Sequence, residues 1–212
     1  MSALVSFLTA GVRVDLVGAD DEVLELVRRV APASVVDRSA GPPTVTVDAR
    51  EIAVCADADP GQAAATLLHE VHKAALEATP ALTIHAAVLA GPAGCVMLPA
   101  ASGAGKSTLA AAALQRGLVL LSDEAACLTS EVGWLVPHVR PIKLSRASRR
   151  LLGVAGDADP EGEIALAPEI FGRAATPTST HRCLGVLLPR RADGRAATLE
   201  PVSKSVALAA VL

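Results

Sequence analysis

The sequence predicts an α/β fold, with a small α+β lobe over residues 1–80 and a mixed-sheet domain over 81–212. Three observations carry this reading. Apolar runs of strand length alternate with stretches of helical periodicity. A glycine-rich loop separates one such run from an Ala-rich helix, and the next run ends on two acids, Asp123 and Glu124. A chain of 212 residues suffices for one substantial core with a smaller lobe beside it.

Residues 11–18, GVRVDLVG, alternate apolar and polar and read as a strand. Asp20, Asp21 and Glu22 supply an acidic helix start for VLELVRRVAP, which Pro32 ends. Past a turn at Gly41, Pro42 and Pro43, TVTVDAREIAVCAD offers two short strands. Asp59-Pro60 then opens the long helix GQAAATLLHEVHKAALEA, which stops at Pro80. LTIHAAVLAG, the turn Gly91-Pro92-Ala93-Gly94 and CVMLPA form a hairpin whose continuous apolar runs suit strands buried on both faces. TLAAAALQRG reads as a helix closed by Gly117, and LVLLSDE as the strand after it. Beyond Glu124 come short β segments at AACLTS and GWLVPHV and a helix from Ser145 to Leu152. An irregular, substrate-facing stretch over roughly residues 153–181 follows, then strands at LGVLLPR and ATLEPVS and a last helix at KSVALAAVL.

Composition narrows the partners. With a net charge of −3 and no run of Lys or Arg longer than a pair, the chain lacks the electrostatic footprint of a nucleic-acid or anionic-membrane binder. Two Phe, one Trp and no Tyr leave few stacking platforms for single strands. Cys55, Cys95, Cys127 and Cys183 lack the close pairing of a zinc or redox site and read as small buried hydrophobes in a reducing cytoplasm. No secretory leader pattern and no uncharged apolar stretch of ~18 residues occurs, which predicts a soluble cytoplasmic protein.

The chemistry concentrates at Ala100-Ala101-Ser102-Gly103-Ala104-Gly105-Lys106-Ser107-Thr108, which matches the phosphate-loop pattern with Ala100 in place of its first Gly. Gly103 and Gly105 let the chain curl so that amide N–H groups face phosphate oxygens, and the helix beginning at Lys106 adds its positive end. Lysine disfavours a helix N-terminus unless an anion sits there. On this reading Ser102 to Thr108 bind ATP, Lys106 reaches the β and γ phosphates, and Ser107 ligates Mg²⁺. Asp123 and Glu124, at the carboxyl end of the next strand, offer one carboxylate to take a proton from an attacking hydroxyl or water and one to help hold the metal.

His85 in IHAAVLA, followed by LPAASGAGKSTLAAAALQRGLVLLSDE, resembles the catalytic core of the HPr kinase/phosphorylase superfamily. The likeness is clear over roughly residues 82–130 and weaker in Arg140-Pro141-Ile142-Lys143-Leu144, LGVLLPR and LEPVS. It is closer to the shorter relatives, including those that phosphorylate lasso-peptide precursors. The resemblance implies a nucleotide-binding mixed sheet like that of phosphoenolpyruvate carboxykinase, with Asp123, His85 and Lys106 as catalytic residues. Glu124 then stands, with Ser107, on the metal side where the family has a second Asp. The same resemblance implies Glu163 or Glu169 as a stand-in for a further catalytic Glu, a serine of a small protein or peptide as the acceptor, and a homo-oligomer.

Other groups read more plainly. His69, Glu70 and His72 differ from a zinc-protease helix in having the histidines at i, i+3, and they read as a solvated helix face. Arg140 and Lys143 are surface charges or ligands for a phosphate or carboxylate. Arg146, Arg149 and Arg150 read as a solvated face or subunit contact, and His181 with Arg182 follows a Thr/Ser-rich loop. Two alternatives to the kinase stay open: a nucleotide hydrolase or small-molecule kinase, and an ATP-binding relative without catalysis.

Overall fold

Mixed α/β structure is what the chain adopts: a computed structural model describes residues 4–37, 45–52, 58–155, 161–190 and 198–209. Cys55 and the turn at Gly41 to Pro43 lie outside the described residues.

In the first part, β1 (Leu4–Thr9) and β2 (Val12–Val17) form a hairpin, joined by β3 (Val35–Val36) and β4 (Val45–Asp48) in the order β3-β1-β2-β4. The sequence reading found β2 and β4 but not β1 or β3; after β4 the chain enters a short 3-10 turn, Ala49–Glu51. The hairpin turn places Ala10 (φ 53) and Gly11 (φ 73) both left-handed, the conformation that matches strand twist in a two-residue turn. α1 (Asp21–Val30) and α2 (Pro60–Ala78) cover one face of this sheet. The Asp59 carboxylate accepts from the amides of Gly61 and Gln62, and Pro60 occupies the first helical position, so α2 starts where the sequence says. The core so formed draws only on residues 5–78.

The second part is a seven-stranded mixed sheet in the order β12-β7-β5-β6-β13-β9-β8, in which β8 also pairs with β5. Its strands are β5 (Leu82–Gly91), β6 (Gly94–Pro99), β7 (Val119–Ser122), β8 (Ala125–Leu128), β9 (Trp134–Val136), β12 (Arg173–Ala174) and β13 (His181–Val186). The extra pairing closes β5, β6, β13, β9 and β8 into a ring. β5 is long enough to serve two partners along one edge, β8 opposite Leu82 to His85 and β7 opposite Val88 to Ala90. Its alternate side chains diverge: Ala86, Val88 and Ala90 enter the ring interior, while Ala87 and Leu89 meet α3 (Lys106–Leu114). Burial on both faces explains why this strand reads as an unbroken apolar run.

α3 crosses from β6 to β7 over β5, and those two strands run the same way because each is antiparallel to β5. Their carboxyl ends, the loop after Pro99 and the turn after Ser122, therefore lie at one end of the sheet. β10 (Ile142–Ser145) and β11 (Glu163–Leu166) form a separate hairpin on the other side of α3, with α4 (Arg146–Leu151) between them in sequence. β11 and β12 fall inside the stretch predicted irregular. β13 lies a few residues before its predicted place, and residues 198–203 form no strand where ATLEPVS suggested one. α5 (Lys204–Ala209) buries none of its side chains.

Two polar residues predicted at the surface are buried. Arg149 is fully enclosed and donates to the carbonyls of Leu144 and Gly162, tying α4 to β10 and to the residue that leads into β11. Removing a buried donor strands its acceptors. Arg149→Met is therefore expected to cost about 2–4 kcal/mol and to lower Tm by roughly 5–15 °C in a thermal melt.

His72 is the second, and it sits between the two parts of the chain. It is 2% exposed and meets His138 ring to ring, at 5.0 Å and nearly perpendicular. Nearby, Thr9 Oγ1 bonds His138 Nδ1 at 2.9 Å and Ser34 Oγ donates to Val139 O at 2.8 Å. Ala10 N donates to Pro137 O, and Thr79 Oγ1 to Ala10 O, so the hairpin turn is held between the segment leading into β10 and the end of α2. His69, one turn earlier on α2, is exposed as expected.

Candidate active site

The loop between β6 and α3 carries Gly103 at φ +79 and Gly105 at φ +90, and a Cβ added to either meets no atom within 4 Å. Glycine is thus set there by backbone conformation and faces open space rather than packed protein. α3 begins on Gly105 with no side chain capping its first turn, which leaves the positive end of the helix to whatever occupies the cleft. Ala100 and Ala101 turn their carbonyls to the Lys106 ammonium, with Nζ 3.1 Å from Ala101 O. Lys106 is only 7% exposed, so its charge is held inside the loop.

Asp123 comes to this loop by topology. Where β7 ends and β8 begins, both still along β5, the turn is fixed by Ser122 Oγ accepting from the amides of Glu124 and Ala125. The amide of Ala86 on β5 donates to Glu124 O at 3.0 Å. Ser107 Oγ, in the first turn of α3, donates to Asp123 Oδ2 at 3.0 Å, while the buried Oδ1 has no hydrogen-bond partner. Burial pushes the Asp123 carboxyl up to about 7, against the pull of the Ser107 hydroxyl and of the Arg140 and Lys106 charges. Such a group exchanges its proton near neutral pH.

These groups share a cleft of about 370 Å³, within the range of small-molecule sites. Ser102, Gly103, Gly105, Lys106, Ser107 and Thr108 line it from the loop and α3; Ala104 does not, its amide being tied to Ala101 O. His85 lines it from β5 and is exposed. Glu124 also lines the cleft, but its carboxylate forms an ion pair with Arg140, so Asp123 is the acid that touches Ser107. Of the two further glutamates, Glu163 on β11 reaches the cleft and Glu169 does not. Arg140 and Lys143, left open between surface charge and ligand, both line it.

No family model, no curated protein and no solved structure matches the chain.

Sequence reasoning missed Ser145 and Ser148. Ser145 caps α4 by accepting from Ser148 N, and Thr108 Oγ1 donates to Ser148 Oγ at 2.8 Å, linking α3 to the β10–α4 corner. The local signal, a serine three residues before another at a helix start, was there; the pairing with Thr108 spans 40 residues and left none. Among the described residues no group of three or more His, Cys, Asp or Glu could hold a metal ion, and no helix is long and apolar enough to cross a membrane.

Proposed function

We propose that the chain transfers the γ-phosphoryl group of ATP to the hydroxyl of a serine in a small protein or peptide. The observation that carries this reading is the buried Asp123 carboxylate, bonded to Ser107 through one oxygen and unpartnered at the other, beside a helix start that holds Lys106. The likeness of residues 82–130 to HPr kinases points the same way.

The residues fit the nucleotide and the magnesium ion. Gly103 and Gly105 leave open space that a Cβ would enter, and Lys106, Arg140 and Lys143 supply positive charge along the cleft. Ser107 Oγ and the Glu124 carboxylate are hard oxygen donors of the kind magnesium takes alongside phosphates and would hold the ion, leaving Asp123 to the proton. When bound, the ion neutralises charge on the β and γ phosphate oxygens. The chain's own part is positioning and proton transfer. The loop amides and Lys106 hold the polyphosphate, and Asp123 Oδ1 accepts the proton of the acceptor hydroxyl as its oxygen bonds to the γ phosphorus. The bond from that phosphorus to the β–γ bridging oxygen breaks, ADP departs, and Asp123 returns its proton to solvent.

Incubating the protein with γ-labelled ATP, magnesium and serine-bearing peptides tests this. Label on serine is the expected result; steady phosphate release that ignores every acceptor assigns the site to a hydrolase, and ATP binding without turnover makes it a binding module.

A further inference from the structure

A second cavity, of about 330 Å³, opens between the two parts of the chain. Its walls are apolar: Leu26 and Val30 of α1, Ala65 and Leu68 of α2, Ile164 and Ala165 of β11. Arg140, Pro141 and Lys143 line both this groove and the catalytic cleft, so the two adjoin along these residues. His72 also lines the groove; it is 2% exposed, and neither ring nitrogen has a hydrogen-bond partner. Burial, with the neighbouring His138, draws the pKa of His72 well below the usual imidazole range, leaving a neutral ring able to donate and accept. A buried polar group without a partner costs free energy that a bound ligand can return. No Asp or Glu is among the described residues lining the groove, whereas His69, Arg140 and Lys143 are.

We propose that this groove seats the phosphoacceptor, a peptide segment that places an apolar side chain between α1, α2 and β11. An acidic residue of that segment meets the exposed Lys143, beside the Arg140–Glu124 ion pair, and its serine reaches Asp123. The inference rests on the kinase reading and names the acceptor class: serine at a fixed spacing from an apolar residue, with an acidic residue near it. Lys143, which lines both cavities, then serves both substrates. An apolar anchor in a pocket with charge at its rim is a usual division of labour in peptide recognition.

The test reads binding apart from turnover. The full chain is applied to an array of serine-centred peptides with systematically varied flanks, and the best binders are titrated by fluorescence polarisation. Ala65→Trp and Ala165→Trp, at exposed positions that line the groove and lie outside the catalytic cleft, fill it without disturbing the core. Binders sharing an apolar residue at one spacing from serine, with affinity weakened about tenfold or more by either substitution and MgATP affinity unchanged, are expected. Binding indifferent to the apolar position, binding unaffected by both substitutions, or no peptide bound overturns the proposal. MgATP binding with no peptide preference spares the kinase reading and removes the groove; peptide binding in the groove without MgATP binding does the reverse.

Discussion

Asp123→Asn is expected to slow phosphoryl transfer by about 10²–10⁴-fold, the usual contribution of a general base, while MgATP affinity changes only a few-fold. The amide can still accept from Ser107 but cannot take the proton of the acceptor. Single-turnover kinetics with saturating MgATP separate the two effects; equal loss of binding and transfer would make the acid structural instead. The same substitution is expected to stabilise the nucleotide-free protein above neutral pH. The Asp123 carboxyl is raised from 3.8 to about 7 by burial. The folded state therefore holds its proton more tightly than the unfolded chain, and stability falls as pH rises between those two values. At about pH 8 the full penalty applies, and Asn, which carries no charge, escapes it. A gain of roughly 2–4 kcal/mol over the unmodified protein follows, shrinking to nothing near pH 4, as urea titrations at the two pH values would show.

Lys106→Ala is expected to lower transfer by on the order of 10³-fold and to weaken MgATP as well, because it removes a charge aimed at the transferring group. This ammonium is satisfied by the carbonyls of Ala100 and Ala101. Those bonds do two things. They brace the curl of the loop, and they hold a buried positive charge beside the cleft. Loss of Lys106 thus also frees two loop carbonyls, and a drop in Tm of a few degrees should accompany the kinetic loss. A variant that transferred phosphate at the original rate would remove Lys106 from the mechanism.

What the sequence revealed follows from how local its signals are. The span from β5 through β7 was legible because its apolar runs, its glycines at φ +79 and +90 and its Ala-rich helix each act within a few residues. The acid pair was legible for the same reason. The closed ring was not, since pairing β5 with β8 and β13 with β6 joins segments far apart in the chain. β11 and β12 hid in a stretch rich in Gly, Pro and Thr, too short and too polar to announce strands. His72 and Arg149 were misread because a polar residue on an amphipathic pattern looks solvated until tertiary contacts bury it, one against His138 and the other on the carbonyls of Leu144 and Gly162. Glu124 shows a subtler limit. Adjacency places it with Asp123 at one strand end, but the partners the two acids take, Ser107 for one and Arg140 for the other, are tertiary and leave no local signal.

The central claim is that the loop from Ser102 to Thr108 grips a polyphosphate next to Asp123. Amide-resolved NMR of the labelled full chain, titrated with MgATP, addresses it residue by residue. Saturable shifts greatest at the amides of Gly103, Gly105, Lys106 and Ser107, with Asp123 following, are predicted; a spectrum unmoved by millimolar MgATP, or moved only away from this loop, would contradict the account.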